Sequence, residues 1–151
     1  MQIDKTDWQL RIIQALAVPG MLVAFYLLLY HNGNLIAACS GSGWDDCGAV
    51  SGPGAPYADI GGIPVALIGL LGYALIFSAV WLRDWLPALD DNLPEILIGL
   101  TGLAFGITAV LTALEAFVIH AFCRYCLVSA GIITIMLILS ISFLRQQTTP
   151  E

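Results

Sequence analysis

Charge is what this chain has least of. Only 11% of its 151 residues are Asp, Glu, Lys or Arg, where an ordinary soluble domain carries about a quarter. Basic residues are scarcest: Lys5, Arg11, Arg83, Arg124 and Arg145 stand against eleven acids, giving a formal net charge of -6. That balance argues against a nucleic-acid partner. Internal repeats and low-complexity tracts are absent. The first apolar segment lacks a strongly basic start and a well-placed small-residue cleavage site before the cysteines, so it does not read as a cleaved signal peptide. With 59% hydrophobic residues in so short a chain, there is more apolar surface than a water-soluble fold can cover. Lipid is the solvent that accommodates it.

Four segments match a crossing, which takes about 20 apolar residues for roughly 30 Å of hydrocarbon. They are 12–30, 63–82, 96–119 and 123–144. The first two hold no charged residue, the third holds only Glu115, and the fourth is free of charge from 127 onward. The expected fold is all-α: a single integral membrane domain over 1–151, built as a four-helix bundle. With an even number of spans, Lys5, Arg11, Arg83 and Arg145 fall on one side and Arg124 alone on the other. The positive-inside rule then makes both termini cytoplasmic. Both cysteine-bearing segments face outward, into the compartment where disulfides persist.

The one long connection, 31–62, carries eight of the fifteen glycines. A connection of that length in a compact domain is usually functional. Residues 53–60 within it are expected to form a short interfacial helix with Pro56 in its first turn, and Trp44 and Tyr57 suit the membrane interface. Pro64 is expected in the first turn of the second span. Asn92 with Glu95 three residues on reads as a capping-box start to the third span. Gly102 and Gly106 form a GxxxG, read as helix packing within the bundle rather than as a dimer contact.

Four cysteines carry the chemistry. Cys39 and Cys47 lie in the glycine-rich connection; Cys123-Arg124-Tyr125-Cys126 is a CxxC at the start of the fourth span. Residues three apart at a helix start share a face. Unsatisfied N–H groups and the helix dipole favour a thiolate there, and Arg124 adds positive charge, so a reactive, low-pKa thiol is expected. Cys126 lies a turn deeper and can meet a lipid-soluble acceptor, whereas Cys123 can meet the loop. Asp45 and Asp46 beside Cys47 disfavour its thiolate, so its pKa is expected above that of Cys123. Zinc binding and two purely structural disulfides are the competing readings; a CxxC and a widely spaced pair on separate segments is not a usual structural zinc pattern, and no metal site is expected. Glu115, an acid inside a span, is costly and usually functional. It could move protons, snorkel to the interface or cap a neighbouring helix end. His120 reads as a solvated interfacial histidine.

The order of spaced pair, then Gly-Ile-Pro-Val-Ala-Leu-Ile-Gly-Leu-Leu-Gly-Tyr (62–73), then Phe-Cys-Arg-Tyr-Cys-Leu-Val-Ser (122–129) resembles the vitamin K epoxide reductase family in its bacterial form. Membrane disulfide oxidases of the DsbB type place their CxxC before the spaced pair, the reverse of the order here. The resemblance implies a quinone, ubiquinone or menaquinone, near the outer end of the bundle, with Cys126, Glu115 and Tyr57 as the residues expected beside it. It implies that Cys126 contacts the quinone, that Cys123 exchanges with Cys47, and that Cys39 completes a loop disulfide. An external thioredoxin-fold, DsbA-type protein reduces that disulfide. The tail, 146–151, is short and polar, so this partner is expected to be a separate protein. A bacterial inner membrane is the implied location. Two features depart from the family pattern. The run 48–61 is somewhat long, leaving Ser51 as the nearest candidate for the family's loop serine. Ala130 stands where animal members carry tyrosine, which favours a plain quinone over a vitamin K epoxide. A DsbA-type dithiol lies near about -120 mV, so a respiratory quinone of higher potential draws electrons downhill. Reduction of a quinone or quinone epoxide for its own sake, and a non-catalytic scaffold or metal-binding protein, are the alternative functions.

Overall fold

The computed structural model describes residues 5–36 and 43–149. Its frame is four long helices: α1 (Lys5–His31), α3 (Val65–Leu82), α4 (Pro87–Leu114) and α5 (Arg124–Thr148). A five-residue helix, α2 (Cys47–Ser51), lies in the connection between α1 and α3. A π-helical turn, Glu115–Ile119, prolongs α4. All four long helices are long and apolar enough to cross a membrane. They close into a ring in which α1 and α4 each pack against both α3 and α5.

The inward faces follow helical spacing. Leu10, Ile13 and Ala17 of α1 are buried, as are Tyr73, Ile76 and Val80 of α3. So are Leu93, Leu97 and Thr101 of α4, and Ile133, Met136, Ser140 and Phe143 of α5. The two buried hydroxyls bond back within their own helices, Thr101 Oγ1 to the Leu97 carbonyl at 2.6 Å and Ser140 Oγ to the Met136 carbonyl at 2.8 Å. Neither therefore leaves a polar group unpaired in an apolar setting. The outward faces stay apolar, with Leu22, Leu71, Leu103, Val110 and Ile138 exposed, as a lipid-facing surface requires.

Several local expectations are corrected. The short helix is not at 53–60 but at Cys47–Ser51, where the Asp46 carboxylate accepts the Ala49 N–H at 3.1 Å as an N-cap. Residues 53–60 cannot match that start: Gly54 turns left-handed at φ 80° and Pro56 has no N–H to give. Asp59–Ile60 instead pairs with Ile63–Pro64 as a small antiparallel hairpin. Its two-residue turn, Gly61-Gly62, has φ of 61° and 87°, the positive values that such tight hairpins need and glycine supplies. Pro64 consequently sits at the N-cap of α3, not in its first turn.

The third span begins at Pro87, not at Asn92, because a proline is tolerated at the first helical position. The Asn92 side chain donates to the Ala88 carbonyl at 3.3 Å inside the helix instead of capping it. Spans one, three and four all run beyond their expected limits, since a helix satisfies its own backbone and continues into flanking polar turns.

The GxxxG is likewise not a packing seam. A methyl group built on Gly102 or Gly106 meets nothing within 4 Å among the described residues. The glycine that permits close approach between helices is Gly20, where a methyl would collide with the Tyr73 ring. Tyr73 Oη in turn lies 2.7 Å from Ser129 Oγ and donates to the Ser129 carbonyl at 3.1 Å. Gly20, Tyr73 and Ser129 form one rung across α1, α3 and α5.

Candidate functional site

At one end of the bundle the loop folds over the start of α5. Cys47 opens α2, and Cys123 is the N-cap of α5; both are fully buried, in one cluster with Leu27, Val50 and Ala121. The Cys123 thiol donates to Cys47 Sγ at 3.5 Å. Cys47 is disulfide-bonded, whereas Cys123 and Cys126 are free thiols. Cys39 lies outside the described residues. The described sulfurs thus place an oxidised loop cysteine against a reduced CxxC.

Three groups set the local chemistry of the CxxC. Glu115 is buried, 3% exposed, and its Oε2 accepts the Cys123 N–H at 3.2 Å. Of the roles open to it in sequence, this geometry is a cap on a neighbouring helix end. The π-helical turn makes it reachable: its wider winding ends in a left-handed His120, φ 55°, and turns the chain so that the Glu115 carbonyl accepts the N–H groups of His120 and Ala121. Such turns frequently mark functional segments. His120 itself is exposed.

The Cys123 thiol is held below its ordinary pKa, chiefly by a hydrogen bond from Cys126 and further by the N–H groups of Cys126 and Tyr125; burial and the Glu115 charge oppose this. Arg124 is not the source. Its Nε donates to Asp45 Oδ2 at 2.9 Å, and its Nη2 bonds the same oxygen. Asp46 is engaged by the α2 cap. The two acids expected to burden Cys47 are therefore both occupied, and Cys47, being disulfide-bonded, does not titrate. The Tyr125 ring packs at a tilt of 48° against Tyr26 of α1, 4.9 Å between centroids, which fixes the segment between the two CxxC sulfurs.

Cys126, hydrogen-bonded to Cys123, also borders the interior of the bundle. It lines a cavity of about 360 Å³ between the helices, within the range of about 300–1,000 Å³ typical of small-molecule sites. Cys47 and Cys123 do not reach it. Ser51, Tyr57, Glu115 and Ser129 share its wall with Cys126, and the rest is largely aliphatic. Ser51 Oγ lies 3.5 Å from Cys126 Sγ, so the serine that was hard to place by spacing meets the sulfur. Leu71 and Leu75 of α3 and Leu103 of α4 also line the cavity and are more than half exposed, which opens it toward the lipid side. His31, at the end of α1, lines it too. Among the described residues no cluster of three or more His, Cys, Asp or Glu could hold a metal ion.

Comparison with known proteins bears on this arrangement. The family model for the vitamin K epoxide reductase family matches residues 11–141. The chain belongs to the vitamin K epoxide reductase family. Its members are membrane oxidoreductases that generally use quinones, and this member is a multi-pass membrane protein. No curated protein sequence matches the chain significantly. Sequence reasoning named the sulfurs, Glu115 and Tyr57. It missed the Asp45–Arg124 pair, although an acid beside one cysteine and the one basic residue beside another were a legible signal. It also assigned no role to Tyr73 and Ser129, which close the two motifs, or to His31, which lies in neither; all three are on the cavity wall.

Proposed function

We propose that this vitamin K epoxide reductase family member passes electron pairs from a dithiol protein outside the cytoplasm to a membrane quinone. The loop pair, Cys39 and Cys47, takes them from a separate thioredoxin-fold, DsbA-type partner and hands them to Cys123 and Cys126. The observation that carries this reading is the 3.5 Å approach of Cys123 Sγ to Cys47 Sγ with Cys126, three residues on, in the wall of the apolar cavity. The two adjoining sulfurs at the first turn of α5 link a buried exchange site to a lipid-side pocket. Free thiols at the CxxC beside a disulfide-bonded Cys47 suit the stage at which electrons have left the loop and await the acceptor.

The residues lining the cavity fit a quinone. Aliphatic walls suit the ring and an isoprenoid tail, the exposed leucines of α3 and α4 give the tail a way out, and Ser51 and Glu115 supply polar contacts beside Cys126. A quinone bound there takes up two electrons and two protons per turnover. Cys126 is then the sulfur nearest the acceptor, Ser51 orients that sulfur, and Cys123 is the thiolate that reforms the Cys123–Cys126 bond. Glu115, on the same wall, is positioned to hold a proton for the reaction while fixing the Cys123 backbone. In this reading the sulfur end lies outside and both termini in the cytoplasm of a bacterial inner membrane, an orientation supported by the basic residues gathered at the opposite end.

The test is oxygen-free turnover of the purified protein with ubiquinone or menaquinone. Reduced DsbA-type partner serves as one donor and dithiothreitol as the other. The relay requires Cys123→Ala and Cys126→Ala to lose quinone reduction with both donors. Cys39→Ala and Cys47→Ala lose it with the protein donor alone. If all four variants behave alike with dithiothreitol, the order of sulfurs is wrong.

A further inference from the structure

The loop bearing Cys47 is rich in glycine, and a mobile loop would seldom present one sulfur to another. It is fastened to the residues before α5 at four points. Asp45 bridges to Phe122 in parallel register, through the Phe122 N–H to the Trp44 carbonyl at 2.6 Å and the Asp46 N–H to the Phe122 carbonyl at 3.1 Å. The Trp44 and Phe122 rings stack 6.2 Å apart at 23°. The Arg124 guanidinium closes on the Asp45 carboxylate. All four contacts lie within two residues of Cys123 on one side and three residues of Cys47 on the other.

We propose that Asp45 and Arg124, with Trp44 and Phe122, form a charge-assisted latch that holds Cys47 at Cys123 and so sets the rate of exchange between the two dithiols. The inference rests on the relay proposed above and assigns positioning residues to its internal step. In that step the Cys47 thiolate attacks Cys123 of a Cys123–Cys126 disulfide. The Cys47–Cys123 bond forms as Cys123–Cys126 breaks, and Cys126 leaves as a thiolate that takes up a proton. The Cys39 thiolate then attacks Cys47, closing the loop disulfide and releasing Cys123. Two electrons and two protons pass from one pair to the other.

Such exchange needs an in-line approach of the sulfurs, and holding two reactants in place raises their effective concentration. An ion pair of two partly exposed groups, 63% and 37%, contributes at most modestly in water. It is therefore a contact that salt can loosen, with a Debye length of about 8 Å at physiological ionic strength and about 3 Å at 1 M. The latch makes the internal step, rather than the quinone step, sensitive to ionic strength.

The decisive measurement uses the full chain in detergent or nanodiscs with Cys39→Ser and Cys126→Ser, so that Cys47 and Cys123 are the sole cysteines. Their effective concentration is read by equilibrating this background with glutathione redox buffers. Adding Arg124→Gln or Asp45→Asn should lower it about fivefold. Trp44→Ala should lower it further. Asp45→Arg combined with Arg124→Asp should restore most of the loss, which a general weakening of the fold would not allow. Raising salt should lower the value in the parent background and leave it flat in Arg124→Gln. Values unchanged by Arg124→Gln and Asp45→Asn, or charge reversal without recovery, overturn the latch while leaving the relay standing. A Cys47–Cys123 bond that never forms in the parent background defeats the relay itself.

Discussion

Arginine meets aspartate at both ends of the bundle, on very different terms. At the end away from the sulfurs, Arg83 is 18% exposed and faces three carboxylates: Asp7 of α1, its neighbour Asp84 at 3.5 Å and Asp90 of α4 at 3.9 Å. Arg11 adds a second link to Asp84 at 3.2 Å. At the sulfur end Arg124 is 63% exposed and, among the described residues, its ion pair is with Asp45 alone. A shielded cation with several partners keeps its hold when any one is lost, and it ties helix to helix. An exposed pair with one partner is screened by salt and has no substitute. The first arrangement suits a fixed closure, the second a joint between a working loop and the helix it serves.

The largest effects should come from breaking the sulfur end at its chemistry. Cys126→Ala, which empties the cavity wall of its sulfur, should bring dithiothreitol-driven quinone reduction to background, while Arg83→Gln at the opposite end leaves it near the parent rate; stopped-flow quinone absorbance reads both. Next comes Glu115. Its Gln variant keeps an oxygen for the Cys123 N–H but cannot carry a proton. It should slow turnover by about 10²-fold or more with a flattened pH profile, whereas an unchanged profile would reduce Glu115 to a cap.

A smaller effect should appear in the thiol titration. Because the Cys123 pKa is lowered, its thiolate persists as pH falls below the ordinary thiol range. In the reduced protein the pH midpoint of its alkylation by iodoacetamide should therefore lie below that of an ordinary thiol. Cys126→Ala removes the largest stabilising contact and should move the midpoint upward. A midpoint at or above the ordinary thiol value in the parent protein would contradict the geometry.

Packing supplies a milder comparison. Gly20→Ala forces a methyl into the Tyr73 ring and should destabilise by about 1–3 kcal/mol. Gly106→Ala, facing open space, should be neutral or stabilise by about 0.5–1 kcal/mol. Unfolding in mixed micelles measures both, and an equal loss at the two glycines would restore the GxxxG as a seam. Smallest of all, Arg11→Gln should shift stability by less than about 1 kcal/mol, because Arg83 holds Asp84 independently.

Much of this was legible in the chain. The four spans could be located because uncharged runs of this length have few other uses, and the CxxC because its spacing fits a helix start. The failures share a cause. The capping signal at Asn92, the interfacial helix at 53–60 and the seam at Gly102 and Gly106 were all read from local pattern, and in each a competing local or tertiary contact prevailed. Pro87 started α4 earlier, the Gly61-Gly62 turn drew its neighbours into a hairpin, and α4 turned its glycines away from its partners. Glu115 lay between: its sequence fixed that a buried acid needs a purpose, and only the π-helical turn after α4 gave it the Cys123 N–H.

By itself, then, the amino-acid order determined that this chain lives in lipid, crosses it four times and carries two cysteine pairs, because hydropathy and spacing are properties of neighbours in the chain. Which sulfur touches which, which one opens on the cavity and which arginine fastens the loop were decided only in three dimensions. Those contacts join residues more than seventy positions apart, and their distances depend on how α1, the loop and α5 pack rather than on any local run of sequence.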